Sequence, residues 1–303
     1  MSAGTRVGLD IGGTKVLGAV VAADGTVITQ FRAPTVPGPE GVLATATTVL
    51  ERLAAALDGA LPSHVGIGFP GMVDHDRGAV RHAVNVGIGG DWFPLAGRLA
   101  DRTGAVVAVE NDVRAATWGA HVLSGADDLG YLSIGTGLAA GFVLGGKLRR
   151  GAHGACGEIG HVPVDPGGQR CSCGQRGCLE LSAAASALTA AWPADGETSP
   201  ARAVFTAAAA GDPAAVAVRD QYAARVADAV RMVGLSVDPA AIIIGGGITD
   251  VGGPLLAAVA AALREQAATS PFLAALDLAG RVSLLPGQLP VGAIGAALIG
   301  NAG

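Results

Sequence analysis

Short apolar runs with strand character alternate along this chain with long alanine-rich runs at helical spacing, and that alternation confines the fold to the α/β class. The strand-like runs fall at 6–9, 17–21, 65–69, 106–109, 131–134, 141–144 and 241–244. The helical runs fall at 41–57, 95–103, 112–123, 201–210, 214–233 and 253–268. With 303 residues there is chain enough for about two domains of ordinary size. Glycine is abundant, 48 residues without a collagen period, as many tight strand-to-helix turns require.

Charge narrows the partners. A net charge of −5 with no basic block offers nothing to a phosphate backbone, so nucleic acid is not expected as a partner. Two uncharged stretches, 129–146 and 282–303, approach the length of a membrane span. The first carries six glycines and the second carries Pro286 and Pro290, so both are expected as buried strand, turn and helix, with no membrane contact. The chain reaches a strand-like run by Val7 without a cationic, apolar leader, and a cytoplasmic location is expected.

Two segments share one order of elements: VGLDIGGTKVLGAVV near the start and YLSIGTGLAAGFVLGGKL from Tyr131. Each is a strand, a glycine turn with a small hydroxyl residue, and a second strand, which suggests a duplicated hairpin that clamps a nucleotide. In DIGGTK the amides of Gly12, Gly13 and Thr14 are unobstructed and suit phosphate oxygens, while Lys15 adds charge. Asp10, at the strand end, is placed to orient magnesium or its waters. Thr136 and Gly137 of IGTG form a second such opening, and Gly246 in GGG, after the strand AIIIG, a third. Three loops at strand ends fit one nucleotide, although none is a Walker loop or a GxGxxG fingerprint.

Glu110, Asn111 and Asp112 follow the strand VVAV directly. A carboxylate there can accept a hydroxyl proton as that oxygen attacks phosphorus; Asp112 is also a candidate N-cap of the following helix. The most specific cluster is GEIGH at 157–161 followed by CSCGQRGCLE at 171–180. His161, Cys171, Cys173 and Cys178 supply one imidazole and three thiolates, a closed tetrahedral set suited to structural zinc. Glu158 and Glu180 flank this loop and suit a polyol, since each can accept two hydroxyl hydrogen bonds.

Taken together, DIGGTK, GFPGMVD at 68–74, END at 110–112, IGTG, GEIGH, the CxCGxxGCxE run and IIIGGGI resemble the ROK family of repressors and kinases, within the actin-like ATPase superfamily. The resemblance spans nearly the whole chain. It implies two actin-like (ribonuclease H-like) lobes around a central cleft, with a zinc-binding loop insertion at 157–180. The small lobe is expected at 1–118, completed by a C-terminal helix at 291–303, and the large lobe at 119–290.

The implied activity is an ATP-dependent hexose kinase that transfers the γ-phosphate to a sugar 6-hydroxyl. Glucose and N-acetylglucosamine stand about equal as acceptors, with N-acetylmannosamine behind. By the resemblance, Asp112 is the catalytic base, and Gly71, Asn85, Asn111, Asp112, Glu158, His161 and Glu180 contact the sugar. Gly12, Gly13, Thr14, Thr136, Gly137 and Gly246 match the family's nucleotide contacts, and Asp10 and Lys15, read from the residues themselves, are expected to join them in holding magnesium and ATP. His161 binds zinc through one ring nitrogen and faces the sugar with the other. A homodimer or homotetramer is expected. The alternative is a sugar-sensing regulator of the same family without kinase activity.

Overall fold

The computed structural model describes residues 4–57, 59, 63–192, 198–286 and 289–299. In chain order the elements are β1 (Arg6–Ile11), β2 (Lys15–Val21), β3 (Val27–Pro34), α1 (Pro39–Ala55), β4 (His64–Phe69), β5 (Met72–Asp74), β6 (Ala79–Arg81), α2 (Leu95–Thr103), β7 (Val106–Asn111) and α3 (Asp112–Ser124). Then follow β8 (Leu129–Ile134), β9 (Leu138–Leu144), β10 (Lys147–Leu148), α4 (Glu180–Ala183), α5 (Ala185–Ala191), α6 (Pro200–Ala209) and α7 (Pro213–Val237). The chain closes with β11 (Ala241–Gly245), α8 (Gly253–Ala267), α9 (Pro271–Leu276), α10 (Leu278–Arg281), β12 (Val282–Leu284) and α11 (Val291–Leu298). The class is α/β, as expected, and every strand-like and helical run read from the sequence lies on an element of its own kind.

The chain divides into two compact units. One holds residues 1–127, 143–155 and 290–303; the other holds 128–142 and 156–289. Position 118 lies inside α3, and α3 falls whole within the first unit. Two five-stranded sheets carry the architecture, in the orders β3-β2-β1-β4-β7 and β10-β9-β8-β11-β12. The two orders correspond strand for strand, so the hairpins β1–β2 and β8–β9 occupy equivalent places. In the first sheet β1–β2 and β2–β3 are antiparallel while β1–β4 and β4–β7 are parallel. In the second, β11 lies parallel to both β8 and β12.

The first unit's core fills with Val7, Leu9 and Ile11 of β1, Val49, Leu50 and Leu53 of α1, and Ile67 and Phe69 of β4. Helix α11 is buried from Gly292 to Leu298 and packs on the sheet and on α3 with almost no side chain intervening. Cβ atoms on Gly8 of β1 and Gly66 of β4 would strike the α11 backbone at Ala293 and Ala296. Between the helices, a Cβ on Gly119 of α3 would strike Val291, and one on Gly295 of α11 would strike Ala115. Missing side chains therefore bring backbones together here, and Gly292 sets α11 against the Asp10 carboxyl. Among the described residues no helix is long and apolar enough to cross a membrane.

Candidate active site and metal centre

In the first unit, the turn after β1 is closed by a hydrogen bond from Gly12 N to Lys15 O at 2.9 Å. Thr35, just past β3, holds the turn from outside: its hydroxyl donates to Gly12 O at 2.6 Å and its amide to Thr14 O at 3.1 Å. Gly13, Thr14 and Lys15 remain exposed, as a phosphate-binding turn requires. A Cβ on Gly13 would lie 3.0 Å from Asn85 O, so this turn rests against the short 3-10 helix Val84–Val86. Thr35 is a support of this turn that no sequence signal marked.

At the other strand end, Asn111 caps α3. Its Oδ1 accepts from Val113 N at 3.1 Å and Arg114 N at 3.3 Å. The N-cap candidate named from the sequence, Asp112, is thus corrected to Asn111, because Asn111 keeps the extended backbone a cap needs while Asp112 is already helical. Asp112 opens the helix and accepts from Val113 N at 2.9 Å. The Asn111 side chain also donates to Gly71 O at 3.3 Å. Gly71 has φ +85 and backs onto the Arg81 and His82 carbonyls, a position closed to any side chain. The structure therefore brings Gly71 to Asn111, and Asn85 to the glycine turn.

Burial and the charge of Asp112 push the Asp10 carboxyl up to about 7, against the pull of Lys15. Two acids and one lysine thus gather where the glycine turn meets the start of α3. Such a pair of carboxylates is chemically suited to a divalent cation, which would offset their mutual repulsion.

In the second unit, the IGTG turn after β8 closes through Gly135 N to Gly137 O at 3.0 Å. It is fastened to α5 by Ala185 N to Gly135 O at 2.9 Å and by the Ser186 hydroxyl to Thr136 O at 2.9 Å. Gly246, at φ +86 after β11, lies against the Ile134 backbone, which puts the GGG loop beside the IGTG loop. Glu180, at the start of α4, accepts from Leu138 N at 2.9 Å and fills the space a Gly137 side chain would take.

Gly157 and Gly160 let the GEIGH segment approach β9 at the Ala140 and Leu138 carbonyls, and Gly160 also meets the Glu180 side chain. Glu158 and Glu180 are thus carried by segments that touch at Gly160. Glu158 is exposed and Glu180 half-buried.

The ligand atoms of His161, Cys171, Cys173 and Cys178 all lie within 4.8 Å of one another. Cys173 Sγ and Cys178 Sγ are 3.6 Å apart, close to the ~3.8 Å between two thiolates on one tetrahedral zinc. Nδ1 of His161 is 3.9 Å from Cys171 Sγ, so that nitrogen faces the thiols. Hydrogen bonds from Gln175 pull the Cys173 thiol down to about 6, whereas burial pushes Cys178 up to about 12. Three thiols and one imidazole packed this closely, with no disulfide, are a donor set that fits zinc.

In one unit a glycine turn follows β1 and an acid opens α3, and in the other a second glycine turn follows β8, the corresponding strand of a sheet of like order; such turns and acids are chemically suited to phosphate and hydroxyl groups. The family model "ROK family" matches residues 6–299, and the chain belongs to the ROK family. Glucokinase from Streptomyces coelicolor is 33% identical over 276 residues, covering 82% of this chain and 84% of that protein. N-acetylmannosamine kinase from Escherichia coli is 29% identical over 252 residues, covering 80% and 83%. The crystal structure of a ROK family glucokinase from Streptomyces griseus in complex with glucose and AMPPNP superposes with a TM-score of 0.80 at 32% identity, covering 99% of this chain and 100% of that one.

Proposed function

We propose that this protein is an ATP-dependent hexose kinase that forms a sugar 6-phosphate, with glucose as the first acceptor to test and N-acetylated hexosamines next. One observation carries the reading: Asp112 opens α3 in the same unit as the glycine turn of Gly12, Gly13 and Thr14, its backbone packed on Gly68 of β4, which pairs with Asp10 at the end of β1. The similarity to a glucokinase crystallised with glucose and AMPPNP supports the choice of sugar and nucleotide.

In this reading Asp112 takes the proton of the sugar 6-hydroxyl as that oxygen bonds to the γ-phosphorus. The bond from phosphorus to the β,γ-bridging oxygen breaks, and ADP leaves with that electron pair. Asn111, Gly71 and Asn85 orient the sugar, as do Glu158, His161 and Glu180. The amides of Gly12, Gly13 and Thr14 with Lys15, and those of Thr136, Gly137 and Gly246, receive the nucleotide. Magnesium, held at Asp10, would neutralise charge developing on the phosphates. His161, Cys171, Cys173 and Cys178 would hold zinc, which orders the segment carrying Glu158 and Glu180. The like strand orders of the two sheets support reading the units as actin-like lobes.

The test is ADP release from ATP and magnesium against glucose, N-acetylglucosamine, N-acetylmannosamine, mannose and fructose, with phosphorus NMR of the product. Turnover on one or two aldohexoses, with a 6-phosphate product, is expected. Sugar-independent ADP release, or none on any sugar that binds, would contradict the reading and favour a sugar sensor.

A further inference from the structure

Glu110 is the residue before the cap and the base, and the proposed chemistry gives it no part. Its side chain is 1% exposed, and both carboxyl oxygens have hydrogen-bonding partners. Oε1 accepts from Asn111 N at 2.9 Å and from Arg114 Nη1 at 3.3 Å; Oε2 accepts from Arg150 Nε at 2.6 Å. Arg114, itself buried, extends the chain of contacts by donating from Nη2 to Gly154 O. All these residues belong to the first unit. One carboxylate thus ties together the end of β7, the first turn of α3 and the 150–154 segment, which runs on through Cys156 to Gly157 and Glu158.

A buried carboxylate facing two guanidiniums is a costly way to gain stability, since apolar side chains of similar volume often do as well. What it supplies is direction: charge-assisted hydrogen bonds fix angles that apolar packing leaves loose. The directed groups lie on both sides of Asp112. Glu110 fixes the amide of Asn111, and Asn111 caps the amides of Val113 and Arg114. Arg114 returns to Glu110 one helical turn on, so the backbone that aims Asp112 is closed in a ring.

We propose that Glu110 is a positioning residue for phosphoryl transfer, acting through Asp112 by means of the Arg114 and Arg150 ion network. The proposal rests on reading Asp112 as the base. A displacement of about 1 Å in a reacting group can cost on the order of 100-fold in rate, so modest loosening of this ring should be visible in turnover.

The experiment compares wild type, Glu110→Gln, Arg150→Met, Asp112→Asn and the double variant Glu110→Gln/Asp112→Asn. Arg150 is partly exposed, so Arg150→Met cuts one leg of the network if Glu110→Gln fails to fold. The expected result is that Glu110→Gln and Arg150→Met each lower kcat by about 10-fold or more while KM for ATP changes less than about 3-fold. In the Asp112→Asn background Glu110→Gln should lower the residual rate no further. A kcat within twofold of wild type in folded Arg150→Met and Glu110→Gln would overturn the proposal. So would an equal loss in both backgrounds, which is the mark of a general structural role. If Asp112→Asn itself kept full turnover, the base assignment would fail first, and Glu110 would have nothing to position.

Discussion

The carboxylate of Glu180 accepts a hydrogen bond from Leu138 N at 2.9 Å, so a residue two positions beyond the last cysteine of the metal cluster braces the end of the IGTG turn. The Cys/His segment and the IGTG loop are thereby one mechanical piece within the second unit. Glu180→Ala would leave a buried amide without its acceptor, at about 1–3 kcal/mol. We expect that loss in urea denaturation, together with weaker binding of a non-hydrolysable ATP analogue by calorimetry. Unchanged analogue affinity would show that Glu180 does not support the nucleotide loop.

Zinc content tests the cluster itself. Metal analysis of the purified protein should find about one zinc per chain, and Cys173→Ser should lose it along with sugar affinity, because ligand removal unties the Glu158 and Glu180 segments. A protein free of zinc with full activity would rule out a structural metal here.

Gly295 is one of the positions in the first unit where a side chain would strike backbone directly. A Cβ there would strike the Ala115 carbonyl and the amide of Gly119, both backbone atoms that cannot rotate away. Gly295→Ala should therefore destabilise by about 3 kcal/mol or more and lower Tm accordingly. A Tm within two or so degrees of wild type would mean that α11 can move off α3 freely.

Asp10 makes stability depend on pH in a direction opposite to most acids. Its carboxyl is raised from 3.8 to about 7 by burial and by Asp112, so the folded chain holds the proton more tightly than the unfolded chain does. Between about pH 4 and pH 7 its contribution to stability falls as pH rises, and above 7 the penalty is constant. Asp10→Asn should thus gain on wild type across that window in denaturation measured at several pH values. Parallel curves for the two proteins would contradict it.

Much of this was legible in the sequence because the signals are local. The runs at 6–9, 65–69 and 241–244 are strands whatever surrounds them, and the spacing from His161 to Cys178 closes a metal-sized cluster by itself. Other features depend on what a residue meets across space. Strand β3 carries Gln30, Arg32 and Pro34 on its exposed face and gives no strong apolar run. The roles of Gly8, Gly66 and Gly295 follow from the atoms their absent side chains would touch. In the sequence Glu110 is one of two acids in the END string, and only the fold shows Arg150, 40 positions away, on its second oxygen.

Sugar-dependent ADP release and sugar binding, measured side by side in wild type and Asp112→Asn, test whether Asp112 is the base of a hexose kinase. Turnover is expected in wild type, with a fall of at least about 100-fold in the variant and sugar binding largely kept. A variant that binds sugar and turns over at the wild-type rate would contradict that role.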